Sequence, residues 1–223
     1  MKRLKLRDIE LPAYVGGEER LNTVTHIIGA LMAAGIFAYG LLLAHRHQKP
    51  YAVASCWIYG LSMIVLYTVS SVYHGLPTGN ARKIMRVVDH CTIYLLIAGC
   101  YTPVLLVSVR PRHPALAWGI FTAEWGLGLL AALLTAMDMK RYGKLSMACY
   151  IAMGWLVAAA IRPVIEAVSM SGFLWLLAGG IAYTLGAVLY GIGKKKPYFH
   201  AVFHIFVVLG SLLQAVCILK YVL

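Results

Sequence analysis

Acidic residues are scarce in this chain: eight Asp and Glu stand against 20 Lys and Arg in 223 residues, and only 13% of positions are charged. Soluble domains carry about 25%, so with 61% hydrophobic residues and a mean hydropathy of +0.77 an ordinary soluble domain is excluded. A net charge of +12 could suggest nucleic acid, but so few charges in so apolar a chain cannot build the broad basic face that phosphate contacts need. No nucleic-acid partner is expected. Cysteine is sparse and odd in number: Cys56, Cys91, Cys100, Cys149 and Cys217 sit in apolar stretches and form no C-x-x-C pair. That excludes a disulfide framework and a thiolate zinc site. The period-two alternation of a membrane barrel strand is missing, and there is no internal repeat or low-complexity segment.

What the sequence has instead is long apolar runs. A helix needs about 20 apolar residues to cross the hydrocarbon core, and runs of that order lie at about 24–44, 51–74, 87–109, 115–137, 145–161, 173–192 and 200–223. Gly, Pro and charged residues punctuate them, as in Leu76-Pro77-Thr78-Gly79-Asn80 and Arg110-Pro111-Arg112-His113-Pro114. The reading is an all-α, seven-transmembrane helix bundle: a cytoplasmic N-terminal segment, 1–23, followed by one transmembrane domain, 24–223. The first run exceeds the 7 to 15 residues of a signal-peptide core and is read as an uncleaved span.

Cytoplasmic loops retain Lys and Arg. The N-terminal segment (Lys2, Arg3, Lys5, Arg7, Arg20) and alternate connections (Arg82, Lys83, Arg86; Lys140, Arg141, Lys144; Lys194, Lys195, Lys196) hold fourteen of them, and the other side holds six. The N-terminus is therefore placed inside and the C-terminus outside. The basic charge becomes a topology signal, with anionic lipid as its sole implied counterpart.

That topology brings His74, Asp89, His200 and His204 to one depth. His200 and His204 are spaced i, i+4 on one helical face, and a catalytic zinc takes three protein ligands with a fourth position open. His74 is the natural third. Ala201 follows His200 where a metalloprotease helix has Glu, so a general base must come from another helix, and Asp89 is the best-placed carboxylate. Ser70, one turn before His74, is a candidate to position water or a partner. Each has a plainer reading: histidines hydrogen-bonded between helices, a first-turn acid at a helix N-terminus, a serine bonded back to its own helix. His45, His47 and His113 fall on the opposite side and cannot join. His26 and His90 are on the correct side, with His90 turned about 100° from Asp89. Glu124 sits near mid-membrane, an expensive position, with no partner nameable from sequence. The Gly29/Ala33 pair permits close helix packing without distinguishing an intrachain contact from a dimer, so the oligomeric state stays open.

Four motifs, in order and spanning nearly the whole chain, carry a resemblance. They are Glu18-Glu19-Arg20-Leu21-Asn22-Thr23-Val24-Thr25-His26-Ile27-Ile28-Gly29, Ser70-Ser71-Val72-Tyr73-His74, the stretch from Asp89-His90-Cys91-Thr92 to Tyr101-Thr102-Pro103, and His200-Ala201-Val202-Phe203-His204. The chain resembles the bacterial hemolysin III family, a branch of the progestin and adipoQ receptor group and its alkaline-ceramidase-like superfamily. The resemblance implies seven helices with a cytoplasmic N-terminus in the bacterial cytoplasmic membrane. It also implies a zinc held by His74, His200 and His204, with Asp89 and Ser70 beside the reacting water, and, as in ceramide-cleaving relatives, hydrolysis of a lipid amide or ester, the membrane lipid being the substrate. The competing reading is a non-enzymatic membrane sensor with a structural zinc, closed by His26 or His90 as a fourth ligand. The cytolysin that the family name suggests has little support in a chain of uncleaved spans.

Overall fold

A computed structural model describes residues 9–193 and 196–223; Lys2, Arg3, Lys5, Arg7, Lys194 and Lys195 of the charge count lie outside the described residues. The described residues are helical, with no strand. The helices are α1 (Glu18–His47), α2 (Ala52–Gly75), α3 (Asn80–Pro103), α4 (Pro114–Met137), α5 (Met139–Gly154), α6 (Ile161–Gly193) and α7 (Phe199–Cys217). Pro103 has no N–H to donate, and α3 continues past it as a π-helical turn, Val104–Val109. A second π-helical turn, Ile218–Val222, closes α7.

Local chemistry sets the boundaries. Pro114 occupies the first turn of α4, where a missing N–H costs nothing. The Asp138 carboxylate accepts from the Arg141 backbone N–H at 2.9 Å and caps α5. Gln48 ends α1 in the left-handed region, its N–H bonded to the Ala44 carbonyl.

Among the described residues six segments, not the expected seven, are long and apolar enough to cross a membrane: Glu18–His47, Ala52–Gly75, Asn80–Val109, Pro114–Met137, Met139–Ile192 and Phe199–Val222. The runs expected at 145–161 and 173–192 fall in one 54-residue helical stretch. The reason is local. Helix α5 has 16 residues, short of the about 20 a span needs, its first turns hold Lys140, Arg141 and Lys144, and no polar loop follows. A 3-10 turn, Leu156–Ala160, leads straight into α6. The single interruption of α6 is Ser169, at φ 65°, ψ 165°. The basic cluster Arg82, Lys83, Arg86, expected in a connection, lies within α3.

Helix α1 packs on α2 and α7, α2 on α3, α3 on α4 and α5, and α6 on α7. The buried face of α1 reads Asn22, His26, Gly29, Ala33, Ile36, Gly40, Ala44, the three- and four-residue rhythm of one helical face. A side chain at Gly29 would overlap the Tyr67 ring of α2, within 2.6 Å, so this glycine serves a contact inside the chain. The opposite faces carry bare leucines such as Leu31 and Leu42, as lipid-facing surfaces do.

Candidate metal centre

Three helices bring His74, His200 and His204 together, the last turn of α2 and the first turns of α7, with α1 alongside. One nitrogen of each ring lies within 4.8 Å of the others'. His200 Nε2 is 3.4 Å from His74 Nε2 and 3.1 Å from His204 Nε2. Two imidazole nitrogens sharing a tetrahedral zinc with bonds of about 2.0 to 2.1 Å sit about 3.3 to 3.4 Å apart, close to these two separations, and all three rings offer a nitrogen within 4.8 Å.

The far sides of the rings fix which nitrogens face inward. His74 Nδ1 donates to Glu19 Oε2 at 2.7 Å, and the other Glu19 oxygen is paired with Arg82. His204 Nδ1 donates to the Asn22 backbone carbonyl at 3.3 Å. With their protons on Nδ1, both rings present bare Nε2 lone pairs to one point, the arrangement that outer partners impose on metal-binding histidines. Lone pairs converging in a buried space call for a cation or a donor between them. Glu19→Gln is therefore expected to lower metal affinity about 10- to 100-fold while helix content stays unchanged; equilibrium competition with a chelator, alongside circular dichroism, reads it.

The expected residues distribute as follows. Ser70, buried on α2, and Asp89, in the third turn of α3 and so not a first-turn acid, line a cavity of about 660 Å³ together with His200 and His204. It runs along α7 as far as Gln214, fourteen residues or about 21 Å of helix, past Tyr101 and Trp155. His26 does not extend the metal group: its ring lies flat on His204, centroids 3.8 Å apart and planes at 10°. His90 points elsewhere, Nδ1 to the Arg86 carbonyl at 2.9 Å and Nε2 to the Tyr190 hydroxyl at 3.4 Å. Among the described residues the group holds three histidines and no fourth ligand.

Sequence reading missed Glu19, Asn22 and Tyr14. The signal for the first two was present: Glu19, Asn22, His26 and Gly29 repeat at three and four residues, a polar stripe on the inward face of an otherwise apolar helix. Tyr14 had no such pattern. It belongs to the segment preceding α1, which lies over the cluster with the Tyr14 ring 5.1 Å from His200 and 5.8 Å from His74. Tyr198 Oη donates to the Gly16 carbonyl at 3.0 Å, and Lys140 pairs with Glu10 at 2.8 Å. Burial pushes the Tyr14 phenol above its usual range, and the Lys140 hydrogen bond and charge hold the Glu10 carboxyl below its own.

An all-helical, multi-pass membrane protein with a buried three-histidine centre at one end of a long cavity is the class these features define. The family profile described as "Haemolysin-III related" matches residues 16–215, and the chain belongs to that family. It is 38% identical over 206 residues to "Hemolysin-3" of Bacillus cereus, covering 92% of each chain. It is 35% identical over 204 residues to "Hemolysin-3 homolog" of Bacillus subtilis (strain 168), covering 92% of this chain and 94% of that one. It is 26% identical over 215 residues to "Monocyte to macrophage differentiation factor" of Homo sapiens, covering 92% and 84%, which fits the progestin and adipoQ receptor relationship.

Proposed function

We propose that this protein is a zinc-dependent hydrolase of a lipid amide or ester, working inside the bacterial cytoplasmic membrane. The observation that carries the reading is the gathering of three histidine nitrogens within 4.8 Å, two of the separations at 3.1 and 3.4 Å, with two of the rings oriented by Glu19 and Asn22. His74, His200 and His204 would hold the ion. Zinc in a three-histidine site supplies Lewis acidity toward a carbonyl and lowers the pKa of water to about 7.

The chain's own residues do the rest. The cavity takes the lipid's acyl chain and keeps bulk water from the reacting bond. Asp89, in the cavity wall, accepts the proton of the attacking water and returns it to the leaving group. The Ser70 hydroxyl, in the same wall, orients the water or the substrate carbonyl. A group of three histidines without a fourth ligand favours this over a closed structural zinc, which has four.

The same reading extends to topology. The Met139–Ile192 segment, at about 1.5 Å per residue, is about 80 Å long against a core of about 30 Å. Lys140 pairs with Glu10, Glu166 accepts from Arg112 beyond the end of α3, and Tyr190 returns to His90 beside the cavity. A stretch of that length is not accommodated as one straight crossing, and we place the N-terminus on the cytoplasmic side in keeping with the Lys/Arg asymmetry.

The test is release of fatty acid from a panel of N-acyl and O-acyl lipids by the zinc-loaded protein in bilayers, followed by mass spectrometry. Release that disappears in His200→Ala supports the reading; a panel left intact by the zinc-loaded parent contradicts it.

A further inference from the structure

Glu124 stands in the middle of α4, wholly buried, and neither of its carboxyl oxygens has a hydrogen-bond partner. The elements packed against α4 are α3 with its π-helical turn, and α5. From them, the titratable groups within electrostatic range of Glu124 are the Cys100 thiol and the Tyr101 phenol of α3, and among the described residues no cation faces it. The polar groups close by are engaged elsewhere. Tyr101 Oη donates to the Gly154 carbonyl at 3.0 Å and accepts from Val157 N–H at 2.9 Å. Thr102 Oγ1 donates to the Ala98 carbonyl and accepts from Trp125 Nε1.

These surroundings define the ligand. Hard metal cations take about six to eight oxygen ligands, and no such cage stands around Glu124. An ionised carboxylate inside a membrane span, with neither cation nor donor, is far more costly than a neutral carboxylic acid. The group that fits a lone carboxyl in apolar surroundings is a proton. Cys100 and Tyr101, the titratable neighbours of Glu124, both line the cavity, which puts Glu124 next to residues that face open space.

We propose that Glu124 is a proton-binding site within the membrane, held as a neutral acid beside Cys100 and Tyr101 and exchanging its proton with the cavity. Release of that proton places a bare negative charge in the contact between α4 and α3, so proton release at mid-membrane is coupled to the packing of the helix that also carries Asp89. The proposal does not depend on zinc or on hydrolysis.

Infrared spectra of the full-length chain and of Glu124→Gln, both in bilayers at neutral pH, test it. The expected result is a neutral-acid carbonyl band in the parent that is absent from Glu124→Gln and shifts in deuterated buffer. A carboxylate band lost in the variant instead, or an acid band that does not shift after prolonged deuteration, overturns the proposal. If Glu124→Gln fails to fold, the parent alone decides, because a hydrophobic carbodiimide adds to neutral carboxylic acids in apolar surroundings. Modification of the Glu124 peptide supports the site, and an unmodified peptide overturns it.

Discussion

Replacing Asp89 with Asn is expected to leave metal content unchanged and to slow lipid hydrolysis about 10²- to 10⁴-fold, the range a positioned proton-transfer group contributes. The reasoning starts from position. Asp89 lines the same cavity as His200, His204 and Ser70, yet it is not among the residues whose ligand atoms cluster. Asn keeps the shape and loses the capacity to take a proton, so the damage falls on turnover and not on zinc. Measured together, metal content and fatty-acid release separate the roles: loss of metal in Asp89→Asn assigns the carboxylate to the metal's support, and full activity removes it from the chemistry.

The second large effect is structural. Gly99 of α3 faces Ser62 of α2, and a Cβ at position 99 would come within 2.8 Å of Ser62 Cβ. That atom is fixed by its own backbone, so the helices themselves must part. Gly99→Ala is expected to destabilise the folded state by about 1 to 3 kcal/mol, the usual cost of overpacking, and Gly99→Leu to prevent folding. Gly126→Ala on α4 is the control, since nothing lies within 4 Å of a Cβ there; it should be neutral or slightly stabilising, given alanine's helix preference. Thermal unfolding of the detergent-solubilised variants reads both. Equal midpoints for Gly99→Ala and the parent would show that α2 and α3 can separate without cost.

How much of this was legible beforehand depended on the kind of signal. The apolar runs gave the helical class, and the i, i+4 spacing of His200 and His204, with His74 on another run, gave the three residues that the fold brings within 4.8 Å. The span count differed at 139–192 because the sequence reading took 162–172, with Arg162, Pro163 and Glu166, as a connection between two runs, whereas the chain stays helical from α5 through the 3-10 turn into α6 and departs from helix there only at Ser169. The outer partners failed for a different reason. Glu19 stands beside the charged residues Glu18 and Arg20 at the start of a helix, where an acid is ordinarily explained by the helix dipole. Only the approach of His74 from α2, 55 residues away, gives it a second task. Tyr14 lies before the first helix, and its place over the cluster follows from tertiary tethers at Glu10 and Gly16 that no local pattern encodes.

The central claim is that three histidines hold one metal ion. Zinc stoichiometry of the purified parent and of the His74/His200/His204→Ala triple variant, by elemental mass spectrometry, tests it most directly. The expected result is about one zinc per chain in the parent and none in a triple variant that keeps its helix content. A parent that binds no metal after resupply, or a folded triple variant that retains it, contradicts the account.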